Sequence, residues 1–114
     1  MRRLRVRYRP EAYADLENIF HYVLRASGSQ VTARRFVTRI RNRCNRIGNV
    51  PRGGRPRDDL ELGLRTVPFE HSAVIAYKVE DGAVRIVNIF FGGRDYEALF
   101  RGEDDKGEGA LDGH

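Results

Sequence analysis

The sequence predicts an α+β domain: an N-terminal strand, an antiparallel helical hairpin packed on a small, mainly antiparallel sheet, and a short C-terminal helix. Three observations predict this class. Apolar residues alternate near the N-terminus, then recur at helical spacing, then follow strand patterns in three later stretches. The 114 residues suffice for one domain with a core and are too few for two. With 40% hydrophobic and 32% charged residues, the composition is globular.

Residues 3–9 alternate strictly, as a half-buried strand does. Leu4, Val6 and Tyr8 form the apolar face, and Arg3, Arg5, Arg7 and Arg9 form the basic face. Two interpretations of the basic face stay open. The arginines either contact phosphate groups or form a solvated face that protects a sheet edge from pairing.

Two helices follow. Pro10 and Glu11 suit the first turn of a helix that ends at Gly28, and Ser29 is a cap for the second helix. The expected buried stripes are Ala12, Leu16, Ile19, Phe20, Val23 and Leu24 in the first helix and Ala33, Phe36, Val37, Ile40, Cys44 and Ile47 in the second. Gly48 ends the second helix. The short connection between the helices predicts an antiparallel hairpin.

Residues 51–59 are a loop by composition, and three strands are predicted after it. The first runs over 62–67 and is ended by Pro68, and the second covers 74–79. The third covers 83–91 after an Asp-Gly turn and is apolar on both faces, which favours a central position in the sheet. A short helix is expected over 95–100.

The charge divides the chain into two parts. Nineteen of the 21 basic residues are arginines, and the net charge is +5. Residues 101–114 carry five acids against two basic residues and are expected to be a disordered, Gly-rich acidic tail, which leaves the domain 1–100 at +8 (19 basic minus 11 acidic). Such a body suggests an anionic partner, either an acidic protein segment or, as a secondary possibility, nucleic acid.

Several kinds of site are not expected. His21, His71 and His114 are not at metal-ligand spacing and Cys44 is the single cysteine, so neither a metal, a cofactor nor an internal disulfide is predicted. The lone cysteine suits a reducing compartment, and no apolar run is long enough for a membrane span. We therefore expect a cytoplasmic protein without a membrane segment.

A metal-free ribonuclease is the catalytic alternative that the residues leave open. Such an enzyme needs groups that activate a ribose hydroxyl, stabilise charge on phosphorus and protonate the leaving oxygen. The candidates on the predicted sheet face are Arg65, Lys78, Arg85, Arg94 and Tyr96. Arginine suits the middle task and is poor at proton transfer because its pKa is too high.

Four segments in this order resemble ParE toxins of the ParE/RelE superfamily: Glu11–Ile19, the loop Pro51–Arg57, Gly63-Leu64-Arg65, and Gly93–Leu99 with its Gly-Arg-Asp-Tyr motif. The resemblance covers residues 4–100. It implies a toxin of a type II toxin–antitoxin module that inhibits DNA gyrase by binding rather than as an enzyme. It also implies a complex with a ParD-like antitoxin.

Departures from the ribonuclease branch favour ParE. Where RelE-like relatives carry two lysines before a Leu-Arg pair, this chain has Glu61 and Gly63, and Val74 replaces a strand arginine. Phe91 stands where ParE members often have histidine. Two alternatives remain: a RelE-like ribosome-dependent mRNA endonuclease using Arg65, Arg94 and Tyr96, and a non-toxic Arg-rich binding module or decayed toxin. The resemblance assigns antitoxin or target binding to Arg35, Arg39, Arg65 and Arg94.

Overall fold

The computed structural model describes residues 3–92, Glu97 and Phe100. Its elements are β1 (Arg5–Tyr8), α1 (Pro10–Ser27), α2 (Gln30–Ile47), β2 (Arg55–Pro56), β3 (Arg65–Phe69), β4 (Ala73–Glu80) and β5 (Ala83–Phe91). The strands form one sheet in the order β1-β5-β4-β3-β2. Strand β1 is parallel to β5, and the other pairs are antiparallel. The α+β prediction of a helical hairpin on a mainly antiparallel sheet is confirmed.

Both helices begin and end where the capping residues predict. Gly28 closes α1 in the left-handed conformation, with φ of 70°, and its N–H donates to the Leu24 carbonyl. The Ser29 hydroxyl then accepts from the Thr32 N–H at 3.1 Å and caps α2. Neither α1 nor α2 combines the length and apolar character that crossing a membrane requires.

Gly48 ends α2 for a reason that the sequence does not reveal. Its φ of −60° is open to any residue, so backbone freedom does not require glycine here. A Cβ at this position would collide with the Leu4 carbonyl oxygen, and the Leu4 N–H donates to the Gly48 carbonyl at 2.9 Å. The end of α2 and the chain entering β1 are therefore in direct backbone contact.

The main core lies between the helical hairpin and one face of the sheet. Its fully buried members include Ala12 of α1, Ile40 and Cys44 of α2, and Ile75 and Ile86 of the central strands. A smaller cluster on the opposite face consists of Leu64, Ala76, Val87 and Phe90, with Leu60 and Phe100 packed against it. The apolar pattern of β5 on both faces is explained by these two clusters, and its predicted central position is confirmed.

The β4–β5 hairpin is confirmed as well. Asp81 and Gly82 both have positive φ, 52° and 73°, as a two-residue turn that matches strand twist requires. Further along the ladder, Ala76 pairs with Asn88 and Tyr77 pairs with Ile86. Val87 is therefore an extra residue on β5, and this β-bulge bends the central strand.

Two predictions about β3 and its neighbour are wrong. Strand β3 begins at Arg65 rather than Leu62, which is 83% exposed, and it continues through Pro68, which pairs with Val74. Proline is tolerated because β2 covers only Arg65 and Thr66, so the end of β3 is a sheet edge. Strand β2 itself lies inside the predicted loop.

Beyond residue 92, the structure describes only Glu97 and Phe100. The expected helix over 95–100, except for Glu97 and Phe100, and the tail 101–114 lie outside the described residues, as do Arg94 and Tyr96. Glu97 accepts a hydrogen bond from Arg57 at 2.7 Å, and Phe100 packs edge to face on Phe90. The division into a domain and a tail stays a prediction.

Candidate partner-binding surface

Arg35 and Arg39 lie together on the exposed side of α2. With Arg34 and Thr38 they line an open depression of about 310 Å³. Helix α2 carries six arginines and no acidic residue. Its outer face therefore attracts anions over its whole length.

Arg39 is held in place by Glu70 of the β3–β4 turn. Its Nε and one terminal nitrogen donate to the two carboxylate oxygens at 2.9 and 3.1 Å. These hydrogen bonds lower the pKa of the Glu70 carboxyl. Both side chains are about half exposed, so the pair orients Arg39 and contributes little stability. A partner carboxylate that approaches α2 would compete with Glu70.

An aromatic row lies beside these arginines and consists of Tyr22, Phe91, Phe36 and Phe69, each ring packed edge to face on the next at 5.3–5.6 Å between centroids. Arg39 lies over the Phe36 ring at 5.2 Å. Phe69 is buried, and Tyr22 is 53% exposed. The row therefore runs from the core to the surface and presents an apolar face to solvent.

Tyr22 and Phe91 also border a cavity of about 320 Å³ between α1 and the end of β5, which Asp15 and Asn18 line on the helix side. Asp15 of α1 forms hydrogen bonds with β5 just after the β-bulge. One of its carboxylate oxygens accepts from the Ile89 N–H at 2.8 Å and from the Asn88 side chain at 3.0 Å. The cavity wall is thus fixed by hydrogen bonds between α1 and β5.

Arg65 does not belong to this surface. Its guanidinium donates to the carbonyls of Arg52 and Gly54 at 2.9 and 2.8 Å and holds the loop before β2. Tyr77 supports the same loop: its hydroxyl donates to Pro51 at 2.8 Å and accepts from the Gly54 N–H at 2.9 Å. Burial raises the pKa of Tyr77. A Cβ on Gly54 would overlap the Tyr77 ring, so this glycine is needed for close approach.

The other sheet-face candidates take part in ion pairs. Lys78 contacts Glu61, and the Arg85 Nε lies 3.3 Å from Glu80. Arg57, which the sequence placed in a loop, is 6% exposed and binds Asp59 through two hydrogen bonds of 3.0 and 2.8 Å in addition to Glu97. The feature of the sequence that could have indicated these contacts is that acidic residues closely follow Arg57.

Cys44 lies in the core, as its position in the apolar stripe predicts. Burial raises the pKa of its thiol to about 11, so it stays protonated at neutral pH. In the part of the chain that the structure describes, no group of three or more His, Cys, Asp or Glu side chains is placed to hold a metal ion.

One comparison with known proteins identifies a family. Residues 6–96 match the family described as "ParE toxin of type II toxin-antitoxin system, parDE". Among solved structures, the chain is similar to one titled "Chromosomal ParDE TA system from P. aeruginosa", with a TM-score of 0.68 and 21% identity over 77% of this chain and 95% of that chain. No curated protein matches the sequence. At this identity the structural match shows the fold.

Proposed function

Because the chain belongs to the ParE toxin family of type II toxin–antitoxin systems, we propose that it inhibits DNA gyrase by binding to it. We further propose that a ParD-like antitoxin neutralises it in a hetero-oligomeric complex in the cytoplasm. We assign both activities to the domain 1–100. The solved relative, whose title names a ParDE system, supports the choice of antitoxin.

The state of Arg65 supports a binding toxin over a ribonuclease. A catalytic arginine must have N–H groups free to face the scissile phosphate. The same Arg65 nitrogen donates to two backbone carbonyls of the loop at 2.8 and 2.9 Å. Lys78, another of the sheet-face candidates, contacts Glu61. One terminal nitrogen of Arg65 is thus taken up by the loop, and the charge of Lys78 is paired with Glu61.

The aromatic row and the neighbouring α2 arginines support the antitoxin site. A disordered acidic segment that folds on binding needs apolar anchors for affinity and cations for orientation. Tyr22 supplies exposed aromatic surface and Phe91 half-buried aromatic surface. Arg39 lies over the Phe36 ring of the same row, and Arg35 lines the depression with Arg39. Of the four arginines that the resemblance assigns to binding, we propose Arg35 and Arg39 for this contact. The assignment of Arg94 to partner binding stays a prediction. We propose that Arg65 affects binding only by holding the loop before β2.

The gyrase proposal is tested with purified gyrase and relaxed plasmid. We expect the full chain at micromolar concentration to reduce supercoiling, and a molar excess of antitoxin to restore it. Toe-printing on translating ribosomes is the parallel measurement, in which we expect no site-specific mRNA cleavage. Undiminished supercoiling by the source organism's gyrase, together with cleavage that Arg94→Ala abolishes, would replace the proposal with the endonuclease alternative.

A growth assay addresses the remaining alternative. Expression of the chain without antitoxin is expected to arrest growth, and coexpression of the antitoxin is expected to relieve the arrest. Normal growth with the folded chain alone would indicate a non-toxic binding module.

A further inference from the structure

A second basic surface lies on the far side of the sheet from the helices. Since Leu4, Val6 and Tyr8 pack into the helix-facing core, the alternating Arg5 and Arg7 of β1 lie on the opposite face. This face carries a groove with a volume of about 630 Å³. Its lining includes four arginines and part of the β4–β5 turn: Arg3, Arg5, Arg7, Arg85, Asp81 and Gly82. We call it the β1 groove. The aromatic row and the α2 depression share none of these lining residues.

Three cations lie side by side across the sheet in this region. Arg7 pairs in register with Arg85, and Arg85 pairs with Lys78 on the next strand. Neighbouring strands are about 4.8 Å apart, and like charges directly opposite each other destabilise a sheet. The row therefore needs compensating negative charge.

Acidic residues balance the charges of Lys78 and Arg85 but not the positive charge on the edge strand β1. Lys78 contacts Glu61, and Glu80 lies near both Arg85 and Arg9 at 3.3–3.4 Å. Within residues 3–92, neither Arg5 nor Arg7 forms an ion pair, and both are exposed. Asp81 is the one acidic residue among those lining the groove. The unpaired charge is thus concentrated on β1.

The lining favours a nucleic acid over an acidic peptide. Leu4 and Ala83 are the only apolar side chains among the lining residues, so the β1 groove offers no pocket for the apolar anchor that a protein partner needs. Phosphodiester contacts need cations and N–H donors alone. The arginines of an extended strand recur about every 6.7 Å and present their charge along a line. A backbone of regularly spaced phosphates matches such a line.

We propose that the β1 groove binds the phosphodiester backbone of nucleic acid through Arg5, Arg7 and Arg85, independently of sequence. The groove alone carries this inference, which holds whether or not gyrase is the target.

The test measures binding of the full chain, without gyrase or antitoxin, to a short labelled DNA duplex and to a labelled RNA strand by fluorescence anisotropy. We expect the affinity to fall steeply between about 50 and 200 mM salt. Arg5→Gln/Arg7→Gln is expected to weaken binding at least about tenfold at the lower salt concentration. It should also reduce the slope of log K against log salt for each lost phosphate contact, by about 0.9 on the duplex and about 0.7 on the single strand. The tighter of the two probes identifies the nucleic acid.

The control variants separate a local site from overall charge. Arg25→Gln/Arg52→Gln removes the same charge from exposed positions on α1 and on the loop before β2, and it is expected to leave the affinity within about twofold. Arg5→Lys/Arg7→Lys keeps the charge on β1 and is expected to retain the salt slope. Equal losses in the two glutamine variants would overturn the proposal, as would tighter Arg5- and Arg7-dependent binding of poly-glutamate than of either nucleic acid.

Discussion

Tyr22→Ala is expected to weaken binding of the ParD-like antitoxin by about 2–3 kcal/mol, or roughly 30- to 150-fold in Kd. Tyr22 is the exposed end of the aromatic row, and its ring packs edge to face on Phe91 at 5.3 Å. Aromatic anchors at the centre of an interface dominate its energy because they are fully desolvated there, while the contacts around them exclude water. Calorimetric titration of antitoxin into the purified chain measures the change.

Tyr13 provides a matched control on the same helix. It is 51% exposed, against 53% for Tyr22, and it stacks on Tyr8 at 5.1 Å, away from the aromatic row. Tyr13→Ala is expected to change the Kd by less than about threefold. Larger losses for Tyr13→Ala than for Tyr22→Ala would place the antitoxin on the other side of the hairpin and contradict the assignment.

Asp15→Ala is expected to lower the free energy of unfolding by about 2–3 kcal/mol and the Tm by about 10–20 °C. The carboxylate accepts the Ile89 N–H and the Asn88 amide, so its removal leaves a part-buried backbone donor without a partner next to the bulge. An unsatisfied donor costs more than the net value of the hydrogen bond that it had formed. Thermal and urea unfolding measure the effect.

Two controls separate the hydrogen bonds from the charge of Asp15. Asp15→Asn keeps one acceptor oxygen for the Ile89 N–H and is expected to cost about half as much. Glu17→Ala removes an exposed carboxylate from the same helix and is expected to change stability by less than about 0.5 kcal/mol. A Tm for Asp15→Ala equal to that of Glu17→Ala would show that the contact to β5 contributes nothing.

Local chemistry made the helices and the last hairpin predictable. Gly28, Ser29 and the Asp81-Gly82 turn act within a few residues of their own positions, and each is found in its expected role. The apolar stripes place Ile40 and Cys44 in the core for the same reason. Such signals are readable because capping and periodicity depend on neighbouring residues alone.

Features that depend on distant parts of the chain were not predictable in this way. Pro68 lies in a strand because β2 is too short to cover that edge. Gly48 is required by Leu4, which lies far away in sequence. The β-bulge at Val87 was not predictable, because one extra apolar residue does not stand out in a strand that is apolar on both faces.

The candidate site shows the same division. The resemblance assigns binding to Arg35 and Arg39, and both lie on the exposed side of α2, but nothing in the sequence indicates that Glu70 holds Arg39. Arg65 could not be distinguished from Arg35 and Arg39, because the sequence does not show which groups a strand arginine contacts. The aromatic row was missed because its members come from α1, α2, β3 and β5. Tyr22, a large aromatic outside the apolar stripe, was the available signal.

The stoichiometry of gyrase inhibition tests most directly whether this chain acts by binding. We expect supercoiling to fall in proportion to the fraction of gyrase occupied by the chain, and antitoxin added after inhibition to restore the activity. A binding toxin must saturate its target, whereas an enzyme acts at small molar ratios and leaves a permanent product. Full supercoiling at saturating amounts of the folded chain, with turnover of RNA at substoichiometric amounts, would contradict this expectation.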